Sequence, residues 1–100
     1  MKSIIQNKKE CYLCKTTVSL NEHHIFFGTA NRKLSEKDGL KVFLCLEHHK
    51  GQAGVHNNRD LDVFFKQIAQ KRWEEFYEKT EEEFIKRYGK SFLGGENEKD

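Results

Sequence analysis

The sequence predicts an α+β fold: a small two-stranded finger followed by one long and one short C-terminal helix. Three observations predict it. Residues 11–57 contain two short β-forming runs together with every cysteine and histidine of the chain. From residue 58 the apolar side chains recur with a helical period, and no proline interrupts either half. With 100 residues the chain has room for one domain and a thin apolar core, a size at which a bound metal adds much of the stability. The expected organisation is a single domain over 1–93, with a finger at 11–57 and a helical part at 58–89. A flexible tail, "GGENEKD", follows at 94–100.

In chain order, "MKSIIQNKKE" reads as a polar lead-in whose Ile4 and Ile5 touch the core. "HHIFF" (His23 to Phe27) and "KVFLC" (Lys41 to Cys45) are rich in β-formers and read as strands. The intervening "FGTANRKLSEKDG" reads as a polar loop closed by Gly39. Next, Leu61, Phe64, Phe65, Ile68, Arg72, Trp73 and Phe76 follow the spacing of an amphipathic helix, with Asn57 or Asn58 as its N-cap. Thr80 and Glu83 match a capping box that opens a shorter helix, and Gly89 stops it. The aromatic residues of both helices read as core.

The net charge of +2 is unevenly spread. Residues 1–58 carry nine Lys/Arg against five Asp/Glu, or +4, and residues 59–100 nine against eleven, or −2. The half rich in histidine and cysteine is thus the basic half, a mild bias toward a polyanion that an ordinary solvated surface also explains. No apolar run approaches a membrane span, and the N-terminus is too short and polar for a secretory signal. A cytoplasmic location and no membrane partner are therefore expected. In a reducing compartment, three cysteines read as metal ligands before disulfides.

Cys11-x-x-Cys14 has the spacing of a zinc knuckle, in which a tight turn lets both sulfurs reach one ion. Alone it also fits a redox pair, but the βαβ pattern of a thioredoxin is absent. Cys45-x-x-His48 repeats the spacing, and together the four residues make a Cys3His site for a structural Zn2+. Such a site closes a loop of about thirty residues and contributes folding energy directly. It leaves His23, His24, His49 and His56. Singly, each is an ordinary surface or core histidine. Together, beside a zinc knuckle, they suggest a second centre, since imidazole is both a common metal ligand and a common general base. Neighbours on a strand point to opposite faces, so "HH" can offer one ring to a metal and the other to a substrate.

The combination "C-x-x-C … E-H-H-I … G-L-K-V-F-L-C-x-x-H-H … G-V-H" resembles the HNH, or ββα-metal finger, endonucleases. It is similar above all to small HNH proteins of phages and prophages of Gram-positive bacteria, and in outline to phage recombination-associated nucleases. The resemblance covers roughly residues 11–93 and implies a zinc-stabilised ββα-metal (HNH) finger followed by the two helices. It also implies metal-dependent hydrolysis of DNA phosphodiester bonds with low intrinsic specificity, in phage DNA recombination or processing. On this pattern His23 matches a ligand of the catalytic ion and His24 the general base. His48 matches the second-knuckle zinc ligand, and His49 and His56 match further ligands of the catalytic ion. That ion would be Mg2+, Mn2+, Zn2+ or Ni2+, with no other cofactor implied. Partners would be DNA and phage or host recombination proteins. Arg32, Lys33 and Lys41 are the cations expected on DNA phosphates, with solvated side chains as the plain alternative.

Two features shape the expectation further. Six residues containing two glycines separate His49 from His56, so a loop rather than one helix must bring them together. The asparagine for which the family is named is replaced by Gly39, leaving Asp38 or Asn31 to orient the base, or the loop to do without one. The competing reading is a catalytically inactive, zinc-stabilised nucleic-acid-binding or adaptor domain. A third is a purely structural zinc module, which needs only three cysteines and one histidine.

Overall fold

β1 (Leu20–His24) and β2 (Lys41–Cys45) pair antiparallel in a computed structural model that describes residues 2–93. The expected tail at 94–100 lies outside the described residues. β2 has the bounds its composition suggests, whereas β1 starts and ends three residues earlier than "HHIFF". The cause is the burial of two neighbours: Ile25 and Phe26 are 0% and 2% exposed. The chain leaves the sheet after His24 and drops into the core. The register sets Leu20 beside Cys45 and His24 beside Lys41.

The segment expected to be a polar loop is a helix, α1 (Thr29–Asp38). Ala30, Arg32, Lys33, Leu34, Glu36 and Lys37 favour helix intrinsically, and Gly39 ends it in the left-handed region at φ 78°. Its period was invisible because the buried face is polar. Ser35, 0% exposed, accepts from the Phe26 amide at 3.1 Å and donates to the Leu40 carbonyl at 3.0 Å. Asp38, also buried, is the second anchor. After β2 come the short α2 (Leu46–Lys50) and a 3-10 turn (Val55–Asn57). The finger therefore carries more helix than its sequence signals.

α3 (Arg59–Tyr77) and α4 (Glu81–Tyr88) match the expected helices. The Asn58 side chain accepts from the Leu61 amide, and both halves of the Thr80–Glu83 capping box form. Phe65, Ala69 and Trp73 from α3 meet Phe84 and Tyr88 from α4 over Ile25, Phe26, Leu40, Val42 and Leu44. Not every aromatic joins them: Phe64 and Phe76 are each 47% exposed, which corrects their assignment to the core. The lead-in docks as expected, with Ile4 and Ile5 packed on the core. The Ile4 amide also donates to the Gly39 carbonyl at 2.9 Å, and the Phe43 amide to Gln6 Oε1 at 2.7 Å. Among the described residues, no helix is long and apolar enough to cross a membrane.

Asp38 ties α1 to both C-terminal helices. Its carboxylate accepts from Trp73 Nε1 at 3.0 Å, Tyr88 Oη at 2.8 Å and Arg87 Nε at 2.6 Å, and Tyr77 Oη donates to its carbonyl at 2.9 Å. The Arg87 hydrogen bond to Asp38 holds the guanidinium above its usual pKa, and burial together with Asp38 pushes the Tyr88 phenol up. Asp38→Ala leaves two buried donors and one arginine without an acceptor and should cost about 3 kcal/mol. Urea unfolding at saturating metal measures the loss, and a change below about 1 kcal/mol would show the hub to be energetically idle.

Candidate metal centres

The expected Cys3His set converges. Cys11, Cys14, Cys45 and His48 place their ligand atoms within 4.8 Å of one another and can hold a metal ion. Two local structures bring them together. The turn after Cys11 is closed by the Lys15 amide on the Cys11 carbonyl at 2.9 Å and the Cys11 amide on the Thr16 carbonyl at 2.8 Å. The Tyr12 amide then joins this turn to the Phe43 carbonyl of β2 at 2.9 Å. Cys45 ends β2, and one turn of α2 returns His48 to it.

The spacing within the set suits one tetrahedrally held ion. A tetrahedron with metal–sulfur bonds of about 2.3 Å has edges of about 3.8 Å. Cys14 Sγ lies 3.8 Å from Cys45 Sγ, and His48 Nδ1 lies 3.7 Å from Cys11 Sγ and 3.3 Å from Cys45 Sγ. Burial raises the pKa of the Cys11 thiol, but amides of Cys14, Cys45 and Leu13 and the His48 ring outweigh it and bring it down to about 6. The Thr16 amide pulls Cys14 down, yet desolvation and the neighbouring sulfurs of Cys11 and Cys45 leave it raised. Sulfurs that resist joint ionisation are what a cation between them relieves.

A second cluster consists of His23, His49 and His56, again within 4.8 Å. His23 comes from the core-facing side of β1, His49 from α2, and His56 from the 3-10 turn, as the loop expectation required. The His23 ring centroid lies 5.3 Å from that of His49 and 5.4 Å from that of His56. His49 Nε2 and His56 Nε2 face each other at 3.1 Å. Among the described residues, His23 Nε2 is the buried side-chain nitrogen or oxygen without a hydrogen-bond partner. An orphaned nitrogen beside two converging ones matches a donor set for one ion, since metal–nitrogen bonds of about 2.0–2.1 Å put neighbouring ligands roughly 3 Å apart. His49 Nδ1 lies 3.4 Å from Asn21 Oδ1, which favours the tautomer that turns Nε2 to the centre. Burial, then repulsion from His49 and His56, lowers His23 to about 3, so its ring stays neutral. Burial and His56 lower His49 as well. His56 is exposed, so the cluster is walled by two buried rings and opens at the third.

Gly54 makes that closure possible through space, its φ of −86° being ordinary. A Cβ there would lie 2.8 Å from the Glu47 carbonyl oxygen and 2.9 Å from the His49 carbonyl, backbone atoms that cannot swing aside. Gly54→Ala should push the 3-10 turn outward, part His56 from His49, and weaken binding of a divalent ion there about 10-fold. Titration calorimetry with Ni2+ on chain whose cysteine site is loaded reads this directly. Unchanged affinity would mean that the turn adapts.

His24 stands apart from the other rings, as alternation along β1 requires. Its Nε2 lies 2.7 Å from Glu36 Oε1, and Lys41 Nζ binds Glu36 at 3.0 and 3.1 Å and Glu22 at 3.4 Å. Neither residue expected to orient His24 is engaged with it: Asp38 serves the helix hub, and Asn31 Nδ2 donates to the Tyr88 carbonyl. Gly39 is a helix cap pressed against the lead-in, where a Cβ would lie 2.5 Å from the Lys2 carbonyl oxygen. Glu22, His24 and Glu36 also group within 4.8 Å, but the Lys41 ammonium already serves both carboxylates.

Of the three cations expected on phosphates, Arg32 and Lys33 are exposed on α1. Lys41 is a correction: it is 7% exposed and its ammonium is engaged by Glu36 and Glu22. Burial lowers its pKa, but the two carboxylates more than restore it. Sequence reasoning missed Asn21, Glu22 and Glu36. A strand begun at Leu20 would have put Asn21 on the face of His23, and Glu22 on that of His24.

No family model, no curated protein and no solved structure matches the chain.

Proposed function

We propose that this protein is a metal-dependent endonuclease of the HNH type that hydrolyses DNA phosphodiester bonds with low intrinsic sequence specificity, in phage DNA recombination or processing. The observation that carries the reading is the orphaned, buried His23 Nε2 beside the facing Nε2 atoms of His49 and His56. A purely structural zinc module has no use for that arrangement. The antiparallel pairing of β1 with β2 across the intervening α1, with α2 directly after β2 and the candidate ligands on β1 and α2, supports it as well.

In this reading Cys11, Cys14, Cys45 and His48 hold the structural Zn2+, and His23, His49 and His56 hold the catalytic divalent ion. A divalent ion so bound supplies Lewis-acid polarisation of a scissile phosphate and stabilises charge on the leaving oxygen. His24 accepts the proton of the attacking water. It is the last residue of β1 and the chain neighbour of His23, about 3.8 Å away between Cα atoms. The buried rings of His23 and His49 keep bulk water from the inner side of the centre, and His56 marks the side where substrate enters. A cleft of about 490 Å³ lined by Phe27, His56, Asn58, Arg59 and Asp62 adjoins it. Arg59 at its rim, with Arg32 and Lys33, provides backbone contacts that carry no sequence information.

The test is incubation of supercoiled plasmid with the protein and Mg2+, Mn2+, Zn2+ or Ni2+ in turn. Nicked and then linear product is expected with at least one ion and none in excess chelator. An intact plasmid under every condition would transfer the function to the inactive nucleic-acid-binding or adaptor reading.

A further inference from the structure

We propose that Glu36 is the positioning residue of His24: its carboxylate, clasped by Lys41, fixes the imidazole with Nε2 as hydrogen-bond donor and leaves Nδ1 as the atom that takes the proton. The inference deepens the endonuclease reading and rests on it for the role of His24.

The contacts are short. His24 and Lys41 are register partners on β1 and β2, so both project from the same place on the sheet. α1 lies over them and lowers Glu36 between them, 2.7 Å from His24 Nε2 and 3.0 Å from Lys41 Nζ. The His24 side chain is 9% exposed, so the ring is held rather than free to swing in solvent. An ionised carboxylate only accepts hydrogen bonds, and a neutral imidazole has one donor nitrogen. If Nε2 donates to Glu36, the lone pair must sit on Nδ1. Lys41 completes the device by anchoring both oxygens of Glu36, which stops the carboxylate from rotating away. The His24 hydrogen bond, then that of Lys41, lowers Glu36 to about 2, so it remains a carboxylate throughout the neutral range. Glu36 thus does what neither Asp38 nor Asn31 is placed to do.

A clasp that only pins α1 to the sheet would look the same in outline, so the test must separate orientation from adhesion. Glu36→Gln keeps the size and an acceptor oxygen, but its amide can also donate, so it no longer dictates which nitrogen of His24 carries the hydrogen. In the full metal-loaded chain, nitrogen-15 NMR of the imidazoles should show His24 protonated at Nε2 in wild type and as a mixture in Glu36→Gln. Plasmid nicking by the variant should fall about 10–100-fold in kcat, with KM for DNA and metal content unchanged. A wild-type His24 protonated at Nδ1, or a Glu36→Gln protein that nicks at the wild-type rate, overturns the proposal. If wild type nicks nothing with any ion, the endonuclease reading fails, while the tautomer of His24 still decides whether Glu36 orients it. If Glu36→Gln does not fold, the wild-type spectrum decides alone.

Discussion

Cys14→Ser should leave a chain that no longer folds stably in the presence of metal. This sulfur is the informative one because it is exposed, whereas Cys11 is 0% exposed and sits in the core. A serine at position 14 therefore forfeits almost no apolar burial, and any collapse of stability belongs to the lost ligand. The expected size is large. Structural zinc in small finger domains contributes an apparent 10–16 kcal/mol or so near neutral pH, against a total stability of about 5–15 kcal/mol for an ordinary domain. Removing one of four ligands thus threatens most of the margin in a chain with a thin core. Thermal unfolding by circular dichroism, with metal content measured alongside, checks the claim, and wild type in strong chelator should behave like the variant. A Cys14→Ser protein as stable as wild type and free of metal would end the assignment of a structural ion.

His24→Ala and His23→Ala should fail in different ways, although the two residues are neighbours. His24 faces Glu36 and Lys41, and His23 faces His49, His56 and Phe65. Loss of the His24 ring should slow plasmid cleavage by about 10²–10⁴, the range for a positioned base, while metal and DNA binding persist. Loss of His23 removes one of three nitrogens from the second centre, so affinity for the catalytic ion should drop and excess metal should restore part of the rate. The measurement is nicking rate against metal concentration for the three proteins. Equal rates for His24→Ala and wild type would show that another group accepts the proton. A His23→Ala protein with unchanged metal dependence would remove His23 from the centre.

The two clusters leave different marks in the sequence. Cys-x-x-Cys and Cys-x-x-His are local spacings, and a turn or a single helical turn brings such pairs to one point whatever the rest of the fold does. The three-histidine cluster is a long-range fact. Its members lie on β1, α2 and the 3-10 turn, and the residues alone suggest a second centre without saying which histidines share it; the grouping of these three is what the family resemblance implies. The C-terminal helices were legible because α3 and α4 bury apolar side chains at helical spacing and carry caps at Asn58 and Thr80. α1 was not, because its buried face is Ser35 and Asp38, and hydrophobic periodicity cannot register a helix anchored by hydrogen bonds.

By itself, then, the sequence determined the α+β order, the two pairs that make up the Cys/His cluster and the helix caps, all of which depend on residues a few positions apart. Only the tertiary structure decided the partners of the buried polar groups. Lys41, read as a surface cation, turns inward because β2 and α1 set it between Glu22 and Glu36. Asp38, a candidate to orient His24, is instead claimed by donors from Trp73, Arg87 and Tyr88 far along the chain. A charged side chain carries no local mark of which distant partner will desolvate it. The pairing of His24 with Glu36 emerges only when α1 folds onto the sheet, because burying either group demands a partner at hydrogen-bond distance.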